Sequence, residues 1–264
     1  MKDVVIVSGV RTPVGSFGGS LKSVYVVELG ATVMKSVLKR AGLRPEADAS
    51  EKAFGPEVLK GQGQIDLEKK GYDYDDTLTP VHIDEVIMGN VLQAGQGQNT
   101  ARQAMIAAGI PRHTPAFTAN KICGSGLKAI ALGAQAIMTG ESDVVLAGGQ
   151  ESMSNAPMAL PKARWGHRME LTGTGDIYDL MVFDGLYEIF YGYHMGLTAE
   201  NIVAKYGITR QEQDELALLS HNRALGAIKD GTFAKEIIPV SFLSRRKEVV
   251  VDTDERPMET SMEK

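Results

Sequence analysis

The chain has 264 residues, of which 43% are hydrophobic and 23% are charged, and its formal net charge is −5 at pH 7. This composition is typical of a globular protein with ample material for a core, and the acidic balance argues against nucleic acid or an anionic membrane as a general partner. No signal peptide or membrane-spanning run is apparent, and a single cysteine excludes an intrachain disulfide and a cysteine-cluster metal site. We therefore expect a cytoplasmic protein without a metal centre.

Predicted strands and helices alternate over residues 1–152. Residues 4–7 form a short apolar run typical of a buried strand, and residues 24–41 carry helical apolar spacing that ends at Gly42. Further strands are predicted over 83–89, 116–120 and 144–147, and further helices over 100–108 and 127–139. This order predicts a doubly wound α/β layer over residues 1–152.

Two segments interrupt that alternation. Residues 45–81 are polar and rich in turn-forming residues, which indicates an insertion between a helix and the next strand. Residues 153–264 contain more methionine, tyrosine and charged residues, and a helix is predicted over 209–229. Thr209 followed by Glu212 forms a capping-box pattern at the start of that helix. We expect a second unit over 153–264, made mostly of loops and helices.

Cys123 lies where a predicted strand gives way to a predicted helix, in the run NKICGSGL of residues 120–127. A helix N-terminus favours negative charge, and therefore the thiolate, which is the nucleophilic form of cysteine. The small residues 124–126 would let a substrate carbonyl approach the backbone, whose N–H groups could stabilise an oxyanion. The turn predicts an acyl-carrying nucleophile that handles thioesters, while a small buried cysteine is the alternative.

Several short motifs, taken together in their order and spacing, resemble the thiolase family over nearly the whole chain. They are VSGVRTPVG (7–15), MGNVLQAGQGQN (88–99), ARQA (101–104), NKICGSGL (120–127), AGGQESMS (147–154), YGYHMG (191–196) and TAEN (198–201). The resemblance implies a layered α/β/α N-terminal half over 1–152, with an insertion at about 45–81. It also implies an inserted α-rich loop domain over 153–264 that is incomplete at its C-terminus.

The resemblance also implies roles for individual residues. In thiolases the cysteine of the Cys-Gly-Ser-Gly turn takes the acetyl group, which carries over to Cys123. The His194-Met195 pair resembles the acetoacetyl-CoA thiolases, in which such a pair lines the acyl and pantetheine pocket; a hydrogen-bonded structural histidine is the alternative. The basic run Arg245-Arg246-Lys247 falls where the family offers an arginine to coenzyme A, with Arg245 slightly preferred, and a solvated charged stretch is the alternative.

The implied reaction joins two acetyl-CoA into acetoacetyl-CoA and CoA, or runs in reverse, with coenzyme A as substrate and no further cofactor. The family's second half is missing: its Asn-Glu-Ala-Phe segment, its Gly-His-Pro histidine and its Cys-Gly-Gly-Gly segment with a second cysteine. In the family that histidine activates the nucleophile and the second cysteine moves the α-proton. We therefore expect the chain to be nearly inactive alone.

Two accounts of this departure are open. A complementary chain could bring the histidine and the second cysteine within a hetero-oligomer, or the chain could be a truncated, inactive thiolase. A non-catalytic, thiolase-like scaffold that binds acyl-CoA in a multi-enzyme complex is an alternative of a different class. A ketoacyl synthase is disfavoured by the AGGQESMS run and the His194-Met195 pair.

Overall fold

The computed structural model describes residues 2–46, 65–169 and 175–263. Its α-helices are α1 Val26–Arg40, α2 Asp66–Gly71, α3 Thr100–Ala107, α4 Ser125–Thr139, α5 Leu180–Gly185, α6 Met195–Tyr206 and α7 Arg210–Lys229. Its strands are β1 Leu43–Pro45, β2 Thr79–Val81, β3 Glu85–Gly89, β4 Ala116–Ala119, β5 Val145–Gly149, β6 Met158–Ala159, β7 Tyr178–Asp179, β8 Tyr187–Glu188, β9 Tyr193–His194, β10 Val240–Ser244 and β11 Lys247–Val251.

A parallel sheet with the order β4-β3-β5 lies at the centre of the first half of the chain. Val86 of β3 is opposite Ala116 of β4 on one side and Leu146 of β5 on the other. Because parallel neighbours need long crossover connections, the intervening helices pass over the sheet faces. The predicted strands and helices between residues 83 and 149 are confirmed to within a few residues at their ends.

Helices cover both faces of this sheet. Val86 and Met88 belong to a buried cluster with Met34 of α1 and Met105 of α3. Side chains alternate between the two faces of a strand, so the intervening positions point the other way. On that side α4 packs against β3 and β5, and a Cβ placed on Gly133 would lie 3.0 Å from a methyl carbon of Val145. The expected α/β/α layering is thus confirmed.

The strand predicted for residues 4–7 is wrong. These residues lie outside every strand of the described chain, and Val4 and Ile6 are 37% and 84% exposed. The segment's sheet contact comes later, in an isolated parallel bridge between Arg11 and Ile237. An apolar run specifies a strand only when a neighbouring strand is present to pair with it, and within the described residues no such neighbour flanks 4–7.

The part of the predicted insertion that the structure describes is packed into the fold, whereas residues 47–64 lie outside the described residues. β1 pairs in parallel with β2, which joins the two ends of the insertion. Tyr74 is buried in the main cluster and its hydroxyl donates to the carbonyl of Ala108 at 2.9 Å. Glu68 is fully buried, and its carboxylate accepts the backbone N–H of Ile65 and of Arg112. The boundaries of the two units remain predictions.

The described part of the second region contains short hairpins and three α-helices. The predicted capping box is present at the start of α7, where Thr209 Oγ1 accepts the N–H of Glu212 at 3.2 Å and the Glu212 carboxylate accepts the N–H of Thr209 at 2.7 Å. None of the residues of α5, α6 and α7 is buried. These helices therefore carry apolar side chains that the described residues leave uncovered.

Candidate active site

The N-terminus of α4 lies directly against the ends of the central strands. A Cβ on Gly89, the last residue of β3, would lie 2.4 Å from the backbone nitrogen of Gly126, a distance that no side chain tolerates. A Cβ on Gly149, at the end of β5, would lie 3.2 Å from the Cα of Gly126. The glycines bring the helix terminus to the carboxyl edge of the parallel sheet, which is the edge where α/β folds place their ligands.

Cys123 is exposed at this edge and lines a cavity of about 440 Å³. The wall is formed from the strand ends, the turn before α4, and the C-terminal end of α5. The lining residues are Gly89, Val91, Leu92, Ile122, Cys123, Ser125, Gly126, Gly149, Gln150, Glu151, Met153, Gly185 and Leu186. Because the thiol of Cys123 is exposed, the alternative that it is a small buried cysteine is wrong.

The turn around Cys123 is closed by its own backbone. The N–H of Gly124 donates to the carbonyl of Lys121 at 3.1 Å, and the N–H of Ser125 donates to the carbonyl of Ile122 at 3.0 Å. These two N–H groups are occupied, which corrects the expectation that residues 124 and 125 offer free donors to an oxyanion. Ile122 has a φ of +48°, in the left-handed region that a β-branched residue rarely adopts.

A second wall of the cavity is held by Glu151. Its carboxylate accepts the side-chain amide of Asn90 at 2.7 Å and the backbone N–H groups of Val91 and Leu92 at 2.9 and 3.1 Å. Asn90 in turn accepts the hydroxyl of Thr100 at 2.8 Å. Because three donors engage the carboxylate, Glu151 supports the wall rather than serving as a free base. None of the lining residues is a histidine.

The predicted substrate-binding residues His194 and Met195 do not line the cavity, but Met195 is hydrogen-bonded to a residue that does. His194 is the N-cap of α6, and its Nδ1 accepts the N–H of Gly196 at 3.0 Å. The N–H of Met195 donates to the carbonyl of Leu186 at 2.8 Å, and Leu186 lines the cavity. The structure thus brings Met195 next to the site through the backbone, while His194 has the capping role that its structural alternative describes.

The predicted coenzyme A contacts lie on the turn between β10 and β11, away from the cavity wall. Arg245 and Arg246 are both exposed and have φ values of +47° and +66°. Two positive φ values in a two-residue hairpin loop define a turn that Asn-Gly and Gly-Gly pairs favour. Two arginines in these conformations are energetically unfavourable.

Several residues of the site were not singled out in the sequence. Leu92, Met153, Gly185 and Leu186 line the cavity, and Asn90 connects two strand ends beneath it. The available signal was position, because Asn90 and Leu92 directly follow a buried parallel strand. Leu186 lies far along the chain in the second region, and no local pattern points to it. Among the described residues, no group of three His, Cys, Asp or Glu side chains is arranged to hold a metal ion.

The sequence matches a known protein family over nearly its whole length. The sequence model described as "Thiolase, N-terminal domain" matches residues 4–73 and 73–264. The chain belongs to the thiolase family. It is 47% identical to an acetyl-CoA acetyltransferase of Syntrophomonas wolfei over 262 residues, which covers 99% of this chain and 57% of that thiolase. An acetyl-CoA acetyltransferase of Escherichia coli K12 gives the same identity and coverage.

A solved thiolase supports the same assignment. The crystal structure of the Bacillus anthracis acetyl-CoA acetyltransferase superposes with a TM-score of 0.78 at 39% sequence identity, over 96% of this chain and 55% of that one. The chain therefore spans about half the length of the thiolases it matches.

Proposed function

We propose that this chain carries the nucleophile of an acetyl-CoA acetyltransferase, with Cys123 as the acetyl acceptor. The observation that carries the proposal is the exposed Cys123 thiol at the turn before α4, on the wall of a 440 Å³ cavity at the carboxyl edge of the sheet. The relatives named acetyl-CoA acetyltransferase support acetyl transfer as the class of reaction.

The first step exchanges one thioester for another. The Cys123 sulfur attacks the acetyl carbonyl carbon, the bond from that carbon to the coenzyme A sulfur breaks, and coenzyme A leaves as the thiolate or, with a proton, as the thiol. A second acetyl-CoA, deprotonated at its α-carbon, then takes the acetyl group and yields acetoacetyl-CoA and free Cys123. Thioester exchange is nearly balanced in energy, so the same residues can run cleavage.

Coenzyme A would meet this chain at two further places. We infer that the His194-Met195 pair binds the acyl and pantetheine end of the substrate, because the backbone N–H of Met195 is hydrogen-bonded to the cavity residue Leu186. We infer that the turn holding Arg245 and Arg246 contacts the nucleotide end, since a guanidinium pairs with phosphate and stacks on a base. The backbone conformation of the two arginines supports a role beyond closing the hairpin.

The remaining catalytic groups would come from the part of the thiolases that this chain does not span. The lining residues include no histidine, and Cys123 is the one cysteine of the sequence. General-base assistance of this kind contributes about 10²–10⁴-fold in rate, so we expect the chain alone to be nearly inactive. We propose that a complementary thiolase chain supplies a histidine and a second thiol within a hetero-oligomer.

An exposed apolar face of α4 supports the proposal that a partner chain docks on this one. Leu127, Ile130 and Met138 are 75%, 44% and 36% exposed. The stretch Ile122–Thr139 has a mean hydropathy of 1.3 with 17% of it buried, values that would suit a membrane span by length and composition alone. Its packing on β3 and β5 makes it a helix of the α/β core with one apolar face left open. Such a face is typical of a protein interface.

The test is acetyl transfer to Cys123, read by intact mass after mixing with acetyl-CoA, with and without the C-terminal half of a thiolase relative expressed as a separate chain. One acetyl group on Cys123 is expected in the mixture, and none in Cys123→Ala. Acetoacetyl-CoA formation should require both chains. Full activity of this chain alone would overturn the need for a partner.

A non-catalytic acyl-CoA scaffold is the second candidate, and the observation that favours it is the engaged carboxylate of Glu151 in a cavity whose wall lacks a histidine. It predicts acetyl-CoA binding that is the same in wild type and in Cys123→Ala, and no acetylated protein in the mixture with the complementary half.

A further inference from the structure

We propose that Ser125 is a positioning residue. Its hydroxyl fixes the position of Cys123 by hydrogen bonding to the two residues that precede the cysteine. The inference rests on the proposed role of Cys123 as nucleophile. It concerns the side chain of Ser125, which is 4% exposed although it lies two residues from an exposed thiol.

The Ser125 hydroxyl makes two hydrogen bonds across the turn. Its oxygen accepts the backbone N–H of Lys121 at 2.8 Å and donates to the carbonyl of Ile122 at 2.6 Å. Lys121 and Ile122 are the two residues that precede Cys123. The hydroxyl therefore connects the start of α4 to the peptide group that enters Lys121 and to the one that joins Ile122 to Cys123.

The residue held in this way is strained. Ile122 has a φ of +48°, in the left-handed region, where a β-branched side chain clashes with its own backbone. Its side chain is 49% exposed, so burial contributes little to keeping it there. A conformation of this kind persists only when its surroundings fix it from several sides.

Three bonds to Ile122 supply those constraints. Its N–H donates to the side-chain oxygen of Asn120 at 3.0 Å, and its carbonyl accepts both the hydroxyl and the N–H of Ser125, at 2.6 and 3.0 Å. Of these, the hydroxyl of Ser125 is the one that also reaches Lys121. Without it, the left-handed turn would lose two of its hydrogen bonds and relax, and Cys123 would leave its place at the turn before α4.

Substitution has to be small at this position. A Cβ placed on Gly89 would lie 2.7 Å from the Cβ of Ser125, so the serine side chain already fills the space between β3 and α4. Ser125→Ala removes the hydroxyl and keeps the packing. Ser142→Ala is the matched control, because Ser142 is another buried serine, 6% exposed, just beyond the far end of the same helix.

The test is the rate at which iodoacetamide alkylates the full chain, which reports on Cys123 alone because the sequence has one cysteine. Ser125→Ala should react about threefold to tenfold more slowly than wild type, the change expected from losing one to two modest hydrogen bonds. Ser142→Ala should react at the wild-type rate. Ser125→Thr, which keeps the hydroxyl, should restore most of the rate.

The backbone provides a second readout if Ser125→Thr does not fold. The amide of Lys121 should exchange its hydrogen faster in Ser125→Ala than in Ser142→Ala, because Ser125→Ala removes the acceptor of that amide. Wild-type alkylation and wild-type Lys121 exchange in Ser125→Ala would overturn the proposal. Alkylation needs no acyl transfer. A failure of the positioning role of Ser125 and a failure of Cys123 as acetyl acceptor therefore appear in different experiments.

Discussion

The region built from α1–α4 and β1–β5 differs sharply from the region that contains α5–α7. In the first, α1 and α3 bury one face each against a shared cluster that includes Met34, Met105 and Ile110, and α4 packs on β3 and β5. In the second, no residue of the three helices is buried. The first region is held by the packing of its helices on the sheet. The second relies on helix caps and hairpins, and its strand β10 packs Val240 against Leu21 and Val24. Buried packing is therefore concentrated in the first region, and the helices of the second region contribute little to it.

The two regions meet at a polar contact near the N-terminus. Arg11 donates to both carboxylate oxygens of Asp254, at 2.7 and 3.0 Å, and also to Glu236 at 2.7 Å. The N–H of Val14 donates to Asp254 at 2.8 Å. The side chains of Asp254 and Arg11 are 7% and 29% exposed, so this ion pair is partly buried.

Removing a buried carboxylate from the first region should destabilise the whole chain. In Glu68→Ala the N–H groups of Ile65 and Arg112 lose their acceptor, and the Arg112 guanidinium, 3.5 Å away, loses its counter-charge. The expected loss is about 3 kcal/mol in the free energy of unfolding, measured by urea denaturation. Exposed Asp66→Ala on the same helix is the control, and an equal loss there would contradict the account.

Breaking the ionic contact should weaken the connection between the regions. In Asp254→Asn, Arg11 and Val14 lose a charged acceptor, at an expected cost of about 2 kcal/mol. Urea unfolding at pH 7 measures it, and the transition should also become less cooperative. An unchanged transition would show that the two regions do not depend on this contact.

The same contact gives a pH dependence. The hydrogen bond from Arg11 is the main cause that holds the pKa of Asp254 below its usual value of 3.8. A lowered folded-state pKa means that the stabilisation is full above that value and is lost as the pH falls through the lower, folded pKa. Wild type should therefore lose stability more steeply than Asp254→Asn below about pH 4. Parallel curves for the two proteins would contradict this.

Exchanging the arginines of the β10–β11 turn should separate stability from ligand binding. The double variant Arg245→Asn, Arg246→Gly fits the positive φ values, and we expect a gain of about 1 kcal/mol in the free energy of unfolding. Coenzyme A affinity, measured by calorimetry on the complex with the complementary half, should fall about tenfold. The exposed Arg223→Ala is the control for charge alone. Unchanged affinity would remove these arginines from the coenzyme A site.

Losing the cap of α7 should have a small and local effect. Thr209→Ala removes the acceptor for the N–H of Glu212, at an expected cost of about 1 kcal/mol. Because α7 buries no residue, the amides of its first turn should exchange faster while the exchange of α1 and α3 stays unchanged. Faster exchange throughout the chain would show that α7 is coupled to the core after all.

The contrast between the regions also explains what the sequence could predict. Periodicity located α1 and the helices and strands between residues 83 and 149, because packing within the chain follows local pattern there. It missed β1, α2 and β2, which lie in or at the ends of the segment interpreted as a polar insertion. It misplaced residues 4–7, where an apolar run has no described strand to pair with. At the site, the turn and the family motifs pointed to Cys123, whose thiol is exposed and whose role as nucleophile stays a prediction. Leu186 reaches the cavity through tertiary structure alone. Thiolase membership followed from the joint order of the motifs and is confirmed.

The central claim is that Cys123 accepts the acetyl group once a complementary half completes the site. The most direct measurement is intact mass spectrometry of this chain with acetyl-CoA and that half, followed by peptide mapping. The account predicts one acetyl group per chain, located on Cys123, and none in Cys123→Ala. Acetoacetyl-CoA formed by Cys123→Ala at the wild-type rate, or an unmodified Cys123 during turnover, would contradict it.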